Sequence, residues 1–167
     1  RAAQLGLRVA LVERDDRLGG TCLLRCCIPT KALLQSAAVM DTVHRSDEWG
    51  IEASGEPDWS AVTAFEDRIV DKLVKGVTGL VKARAIDVVQ GSARLVPGSS
   101  ALDVESGRVE ASEIVIATGS APKLLPGVSI TDRIITSDQA LWYDRIPGSV
   151  VVIGAGAVGL EFASLYR

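Results

Sequence analysis

The sequence predicts an α/β fold with a buried parallel sheet, and three observations carry that prediction. Hydrophobic residues make up 47% of the 167 but aromatics only 4%, so Val, Ile, Leu and Ala must fill the core. Short aliphatic runs at residues 9–12, 113–117 and 150–153 each end in a charged or glycine-bearing turn, the pattern of strands covered on both faces. The last run leads into Gly154-Ala155-Gly156-Ala157-Val158-Gly159 and a helical stretch, the order of a nucleotide-binding βα unit.

Taken in order, residues 1–5 read as a helix tail with Gly6 as its C-cap. Residues 9–12 form a strand ending at Glu13, and Gly19-Gly20 marks a tight loop. A helix follows from about Cys22 to His44, distorted where Pro29 removes a backbone donor. Residues 50–58 make a loop, after which Ser60 is expected to N-cap a long amphipathic helix. Val62, Phe65, Ile69, Leu73, Val77, Leu80 and Val81 give that helix its spacing. A short strand at 86–89 precedes a small antiparallel excursion at 101–104 and 107–111. Residues 113–117 are then a buried strand, 121–148 are turn-rich, and 150–153 form the final strand. A boundary near residue 145 would separate domains 1–145 and 146–167.

Charge and composition exclude some functions. A net charge of -3, with no local Lys/Arg cluster, offers no field for nucleic acid. No apolar run approaches the roughly 20 residues that span a bilayer, so no membrane role is expected. The chain opens Arg-Ala-Ala-Gln-Leu-Gly, without an initiator Met or leader features, and the cytoplasm is the expected compartment.

Three cysteines fall within six residues: Cys22, Cys26 and Cys27. A structural disulfide framework would close long loops, whereas this cluster closes almost nothing. Redox chemistry is the favoured reading, and a Cys22–Cys27 bond would need local distortion of the helix. Buried core thiols, or a zinc site using all three with His44, are the alternatives. Vicinal cysteines rarely aim both sulfurs at one metal, which counts against zinc.

Gly19-Gly20-Thr21-Cys22, followed by Cys27-Ile28-Pro29-Thr30-Lys31-Ala32-Leu33-Leu34, resembles the redox centre of the dihydrolipoamide dehydrogenase group. That group belongs to the pyridine nucleotide–disulfide oxidoreductases, with glutathione and mercuric reductases. The resemblance covers essentially all 167 residues, running through residues 116–122 to residues 151–156. It implies a Rossmann-like FAD-binding domain over 1–145, lacking its first strand and glycine loop, and the start of a second Rossmann, NAD-binding domain over 146–167.

The resemblance also implies roles. Cys22 would exchange with a dithiol substrate, and Cys27 would face the flavin. Glu13 would accept from the adenosine ribose, as acidic residues at strand ends do in dinucleotide folds. Gly20, Thr21, Lys31, Ser92, Thr118, Gly119 and Ser120 would also lie against FAD, with Lys31 stabilising the reduced ring. Gly154, Gly156 and Gly159 would cradle the nicotinamide dinucleotide, since glycine permits the tight turn and the close approach of pyrophosphate. Glu161 would pair with Lys31 across the fold, and His44, the single histidine, is expected on a helix surface. The activity implied is oxidation of dihydrolipoamide, carried on a lipoyl domain of a 2-oxoacid dehydrogenase complex, in a homodimer. A glutathione- or mercuric-type reductase using NADPH, and a non-catalytic dinucleotide-binding fragment, are the rivals.

Departures from the family pattern matter. The flavin glycine loop, the NAD-versus-NADP determinant and the His–Glu acid/base pair would lie outside these residues, so the piece alone is expected to bind FAD poorly and not to turn over. Within the motif, Leu24-Arg25-Cys26 stands where the family has Asn-x-Gly. Cys26 therefore brings a side chain where the backbone is unusual, and offers a competing bond to Cys22.

Overall fold

The computed structural model describes all residues 1–167, arranged as two compact units. The first comprises Arg1–Gly20 and Leu73–Gly119. A short 3-10 turn, Ala3–Leu5, is closed by Gly6 at φ 84°, a left-handed conformation that glycine adopts freely. Strand β1 (Ala10–Glu13) then pairs in parallel with β2 (Asp87–Gln90), Ala10 opposite Asp87 and Glu13 opposite Gln90. Parallel neighbours need a long crossover, and the intervening residues supply it. The carboxyl ends of the two strands are tied together. The Gly91 N–H donates to the Glu13 carbonyl at 2.8 Å, and the Gln90 side-chain amide donates to the carbonyls of Arg14 and Asp15, each at 2.9 Å.

The antiparallel excursion has three strands: β3 (Arg94–Leu95), β4 (Ala101–Val104) and β5 (Gly107–Glu110). Val104 faces Gly107 across a two-residue turn, with Gly107 at φ 132°. Ala101 and Val104 turn inward, while Asp103 and Arg108 pair across the exposed face at 2.9 Å. Strand β3 is only two residues long, too short to leave a periodic signal in the sequence.

The second unit comprises Thr21–Lys72 and Ser120–Arg167. Its helices are α1 (Gly20–Arg25), α2 (Cys27–His44), the part of α3 (Trp59–Ala83) up to Lys72, α4 (Ser137–Leu141) and α5 (Ala157–Leu165). Its core is Leu33, Ala140, Leu141 and Phe162, packed against Trp59, Val62, Ile135, Leu165 and Tyr166. Polar ends of the large side chains are satisfied: the Trp59 indole donates to the Tyr143 carbonyl at 2.8 Å, and the Tyr166 hydroxyl to Ala140 at 3.3 Å. Thr136 and Gln139 close a capping box that fixes the start of α4.

Several expectations need correction. The long helix breaks at Cys26, not at Pro29, which sits in the first turn of α2 where no intrahelical donor is required. Asp58, rather than Ser60, caps α3: its Oδ1 accepts from the Ser60 and Ala61 N–H groups at 3.0 and 3.2 Å. The buried strand expected at 113–117 and the strand expected at 150–153 form no ladder. Val115 and Val151 are accordingly 87% and 89% exposed. Helix α4 lies in the stretch expected to be turn-rich. Finally, Gly20–His44 is long and apolar enough, by length and composition alone, to cross a membrane. Cys26 divides it into two helices, which bury Leu23, Pro29, Thr30, Ala32 and Leu33.

Candidate redox site

The cysteine cluster is built by the break between α1 and α2. Gly19 and Gly20, at φ 146° and 63°, turn the chain into α1 through conformations that side chains disfavour. At Cys26 the backbone leaves the helical region, with φ -148° and ψ -95°, before α2 begins. Thr30 stitches the break from below: its N–H and its hydroxyl both donate to the Cys26 carbonyl, at 3.1 and 2.6 Å. On an unbroken helix residues five apart would not share a face, and the interruption falls between Cys22 and Cys27. Cys22 is exposed, Cys26 and Cys27 are half-buried, and all three are free thiols.

Cys27 is the shared neighbour. A hydrogen bond with Cys27 is the main cause that holds the Cys22 thiol above its ordinary pKa, and burial and the charges of Cys27 and Cys26 add to it. Burial is the main cause for Cys26, followed by the charge and hydrogen bond of Cys27, with Lys31 opposing. Lys31, on α2, forms an ion pair with Glu161 on α5. That hydrogen bond, above all, raises the Lys31 pKa, with the charges of Cys27 and Cys26 adding to it. At Cys26 the nearby Lys31 charge therefore works against the rise that burial imposes.

Thr21 and Ser120 bind each other twice: the Thr21 hydroxyl donates to the Ser120 carbonyl and accepts from its N–H, both at 3.2 Å. This joins the residue before Cys22 to the segment after Gly119, which has φ 73°. The second unit therefore gathers Thr21, Cys22, Cys27, Lys31, Ser120 and Glu161. Glu13, Gly20, Ser92, Thr118 and Gly119 belong to the first. There Glu13 ends β1, its Oε1 accepting from the Asp15 N–H at 2.9 Å, and Ser92 follows Gly91 just beyond β2. A carboxylate at the carboxyl end of a parallel strand can accept hydrogen bonds from ribose hydroxyls.

The glycine motif divides its labour. Gly154, at φ 120°, makes the turn, and Gly156 caps α5. A Cβ on either would meet nothing within 4 Å, so their backbones face open space. A Cβ on Gly159 would run into the carbonyl of Gly154. Open backbone at the helix start and close packing one turn later fit a bound pyrophosphate. His44 closes α2 on the exposed surface, and no three His, Cys, Asp or Glu side chains are placed to share a metal ion. Sequence reasoning missed the Thr21–Ser120 link, which joins residues far apart in the chain.

The family model for pyridine nucleotide-disulphide oxidoreductases matches residues 1–167. The chain belongs to that family. Among its relatives are dihydrolipoyl dehydrogenases of Bacillus subtilis and Rhizobium etli, each 40% identical, covering 99% and 100% of this chain. The leghemoglobin reductase of Vigna unguiculata is also 40% identical over 99% of the chain. These matches take in 38%, 39% and 33% of the relatives, so the chain spans about two fifths of their length or less. The fold matches LpdA of Mycobacterium tuberculosis with a TM-score of 0.85 at 22% identity, over 99% of this chain and 38% of that one. It also matches the flavoprotein disulfide reductase RclA of Escherichia coli, solved as a Cu(II) complex, at 0.80 and 28%, over 99% and 35%. Family membership thus rests on sequence along the whole chain, and the α/β fold on structure.

Proposed function

We propose that this chain is the redox-disulfide segment of a dihydrolipoyl dehydrogenase, oxidising dihydrolipoamide to lipoamide. The observation that carries the reading is the Cys22/Cys27 pair across a helix break, with the Lys31–Glu161 ion pair beside it. In the oxidised centre, a substrate thiolate attacks the exposed Cys22 sulfur. A mixed disulfide forms as the Cys22–Cys27 bond breaks and Cys27 leaves as thiolate. The second substrate thiol then attacks its own partner sulfur, releasing lipoamide and the Cys22 thiolate. When bound, FAD would supply the two-electron acceptor for the reduced Cys22/Cys27 dithiol, with NAD as the final acceptor. Lys31 holds positive charge beside the cluster, and Glu161 positions the Lys31 ammonium.

The same reading gives FAD to residues 1–145 and NAD to the glycine turn of residues 146–167. Glu13, Gly20, Thr21, Cys22, Lys31, Ser92, Thr118, Gly119 and Ser120 are the FAD-side residues, and Gly154, Gly156 and Gly159 the NAD-side ones. A lipoyl domain as partner, a homodimer as assembly and the cytoplasm as compartment complete the proposal, supported by the resemblance of the motifs.

The test is substrate oxidation by the whole flavin-loaded protein. Dihydrolipoamide with NAD is expected to be turned over, and Cys22→Ser or Cys27→Ser to lower kcat by on the order of 10³ or more. Turnover of glutathione disulfide or mercuric ion with NADPH, without dihydrolipoamide activity, would replace the proposal by the reductase reading.

A further inference from the structure

The start of α2 lacks the usual devices that hold a first turn. Cys26, at the N-cap, makes no side-chain capping bond, and Pro29 has no N–H to give. The backbone at Cys26 is outside helical geometry, at φ -148° and ψ -95°, so helix regularity does not fix the Cys26–Cys27 peptide. Thr30 supplies the hold. Its N–H makes the first intrahelical bond, to the Cys26 carbonyl at 3.1 Å, and its hydroxyl adds a second at 2.6 Å.

Bonds of this kind are common within helices, where they change little. Thr42 and Thr63 donate in the same way to Ala38 and Trp59, at 2.8 and 3.1 Å. Those acceptors belong to α2 and α3 themselves, and the helix already orients them. The acceptor of Thr30 lies in the break, and its carbonyl carbon is bonded to the Cys27 nitrogen. The Thr30 side chain is 2% exposed, which keeps water from competing for the bond.

We propose that Thr30 is a positioning residue for the redox disulfide. Its hydroxyl holds the Cys26–Cys27 peptide, and with it the Cys27 side chain, in the orientation from which the bond to Cys22 closes. This rests on the reading that Cys22–Cys27 is the redox disulfide. In the step it serves, Cys27 gives its proton to solvent and its thiolate attacks the Cys22 sulfur of a mixed disulfide with a small thiol. The Cys22–Cys27 bond forms as the bond to the small thiol breaks, and that thiol leaves as thiolate and takes up a proton. A peptide held in advance loses less freedom on closure, which raises the effective concentration of Cys27 at Cys22.

The experiment equilibrates the whole flavin-loaded protein, without oxygen, in graded mixtures of glutathione and glutathione disulfide. Acid quench, alkylation and tryptic mapping then give the fraction with Cys22 linked to Cys27, and the midpoint gives the effective concentration. Thr30→Ala lowers it at least about threefold, the scale of one ordinary hydrogen bond. Thr30→Ser, which keeps the hydroxyl, stays within about twofold of wild type. Both variants lose the methyl group, so the hydroxyl alone separates them. Thr30→Val, a second variant without the hydroxyl, follows Thr30→Ala and replaces it if that chain does not fold. A smaller fall in the variants without the hydroxyl, an equal fall in Thr30→Ser, or failure of both Thr30→Ala and Thr30→Val to fold overturns the proposal. Absence of a Cys22–Cys27 link in wild type at every mixture sinks the underlying redox reading instead.

Discussion

Glu66 is an acid in a place built for an aliphatic side chain. It lies one helical step from Val62 and from Val70, on the buried stripe of α3, and is 1% exposed. Its Oε1 has no hydrogen-bond partner, an arrangement that penalises charge. Burial, helped by the neighbouring Asp67 charge, pushes the carboxyl from 4.5 up to about 7. Between those values the folded chain keeps a proton that the unfolded chain has released. The stability from protonated Glu66 is thus complete below 4.5, declines as pH rises through the window, and is gone above 7. Glu66→Gln is expected to match wild type in urea unfolding near pH 4 and to exceed it by about 1–3 kcal/mol near pH 8. A difference that stays constant with pH would refute the argument. Nothing in the sequence marked Glu66, because an acid between apolar residues on a helix reads as part of the solvated face.

At the scale of elements, α5 depends on one glycine being bare and tolerates change at another. A Cβ at Gly159 meets the Gly154 carbonyl, which belongs to backbone and cannot swing aside. Gly156 has φ -78°, accessible to any residue, and open space around it. Gly159→Ala is therefore expected to destabilise the chain by about 1–3 kcal/mol. Gly156→Ala is expected to stay within about 1 kcal/mol of wild type, as small caps are. Denaturant titration of the two variants separates the roles, and equal losses would show that packing does not distinguish them. The motif could be read from the sequence because a strand–turn–helix with glycines at fixed spacing has few other uses. The cysteine pair could be read for the same chemical reason, as could the amphipathic spacing of α3. The break at Cys26 was hidden, since Pro29 is the visible helix breaker and its place in the first turn of α2 makes it harmless. Asp58 was missed as a cap because Ser60, two residues on, is an equally good capping type.

At the scale of the whole molecule, the segments 113–117 and 150–153 set a problem of exposed surface. Both are aliphatic and β-prone, and the sequence reads both as strands, 113–117 as a buried one. Neither has a ladder, and Ile116 and Ile153 stand exposed with Val115 and Val151. Unpaired backbone groups beside apolar side chains form a template for another strand. The 167-residue chain is therefore expected to self-associate with rising concentration and to bind a hydrophobic dye. Val115→Lys with Val151→Lys should reduce association, measured by sedimentation. Neither valine is in the buried core, so unfolding by denaturant should shift by no more than about 0.5 kcal/mol. In a longer form of the protein whose further strands cover these segments, the effect reverses. The same two lysines would then bury unpaired charge and cost several kcal/mol. Comparing the pair of substitutions in both lengths decides whether these segments are edges awaiting partners. Identical, harmless behaviour in both would show that the valines stay in water and that the strand reading of the sequence was mistaken there.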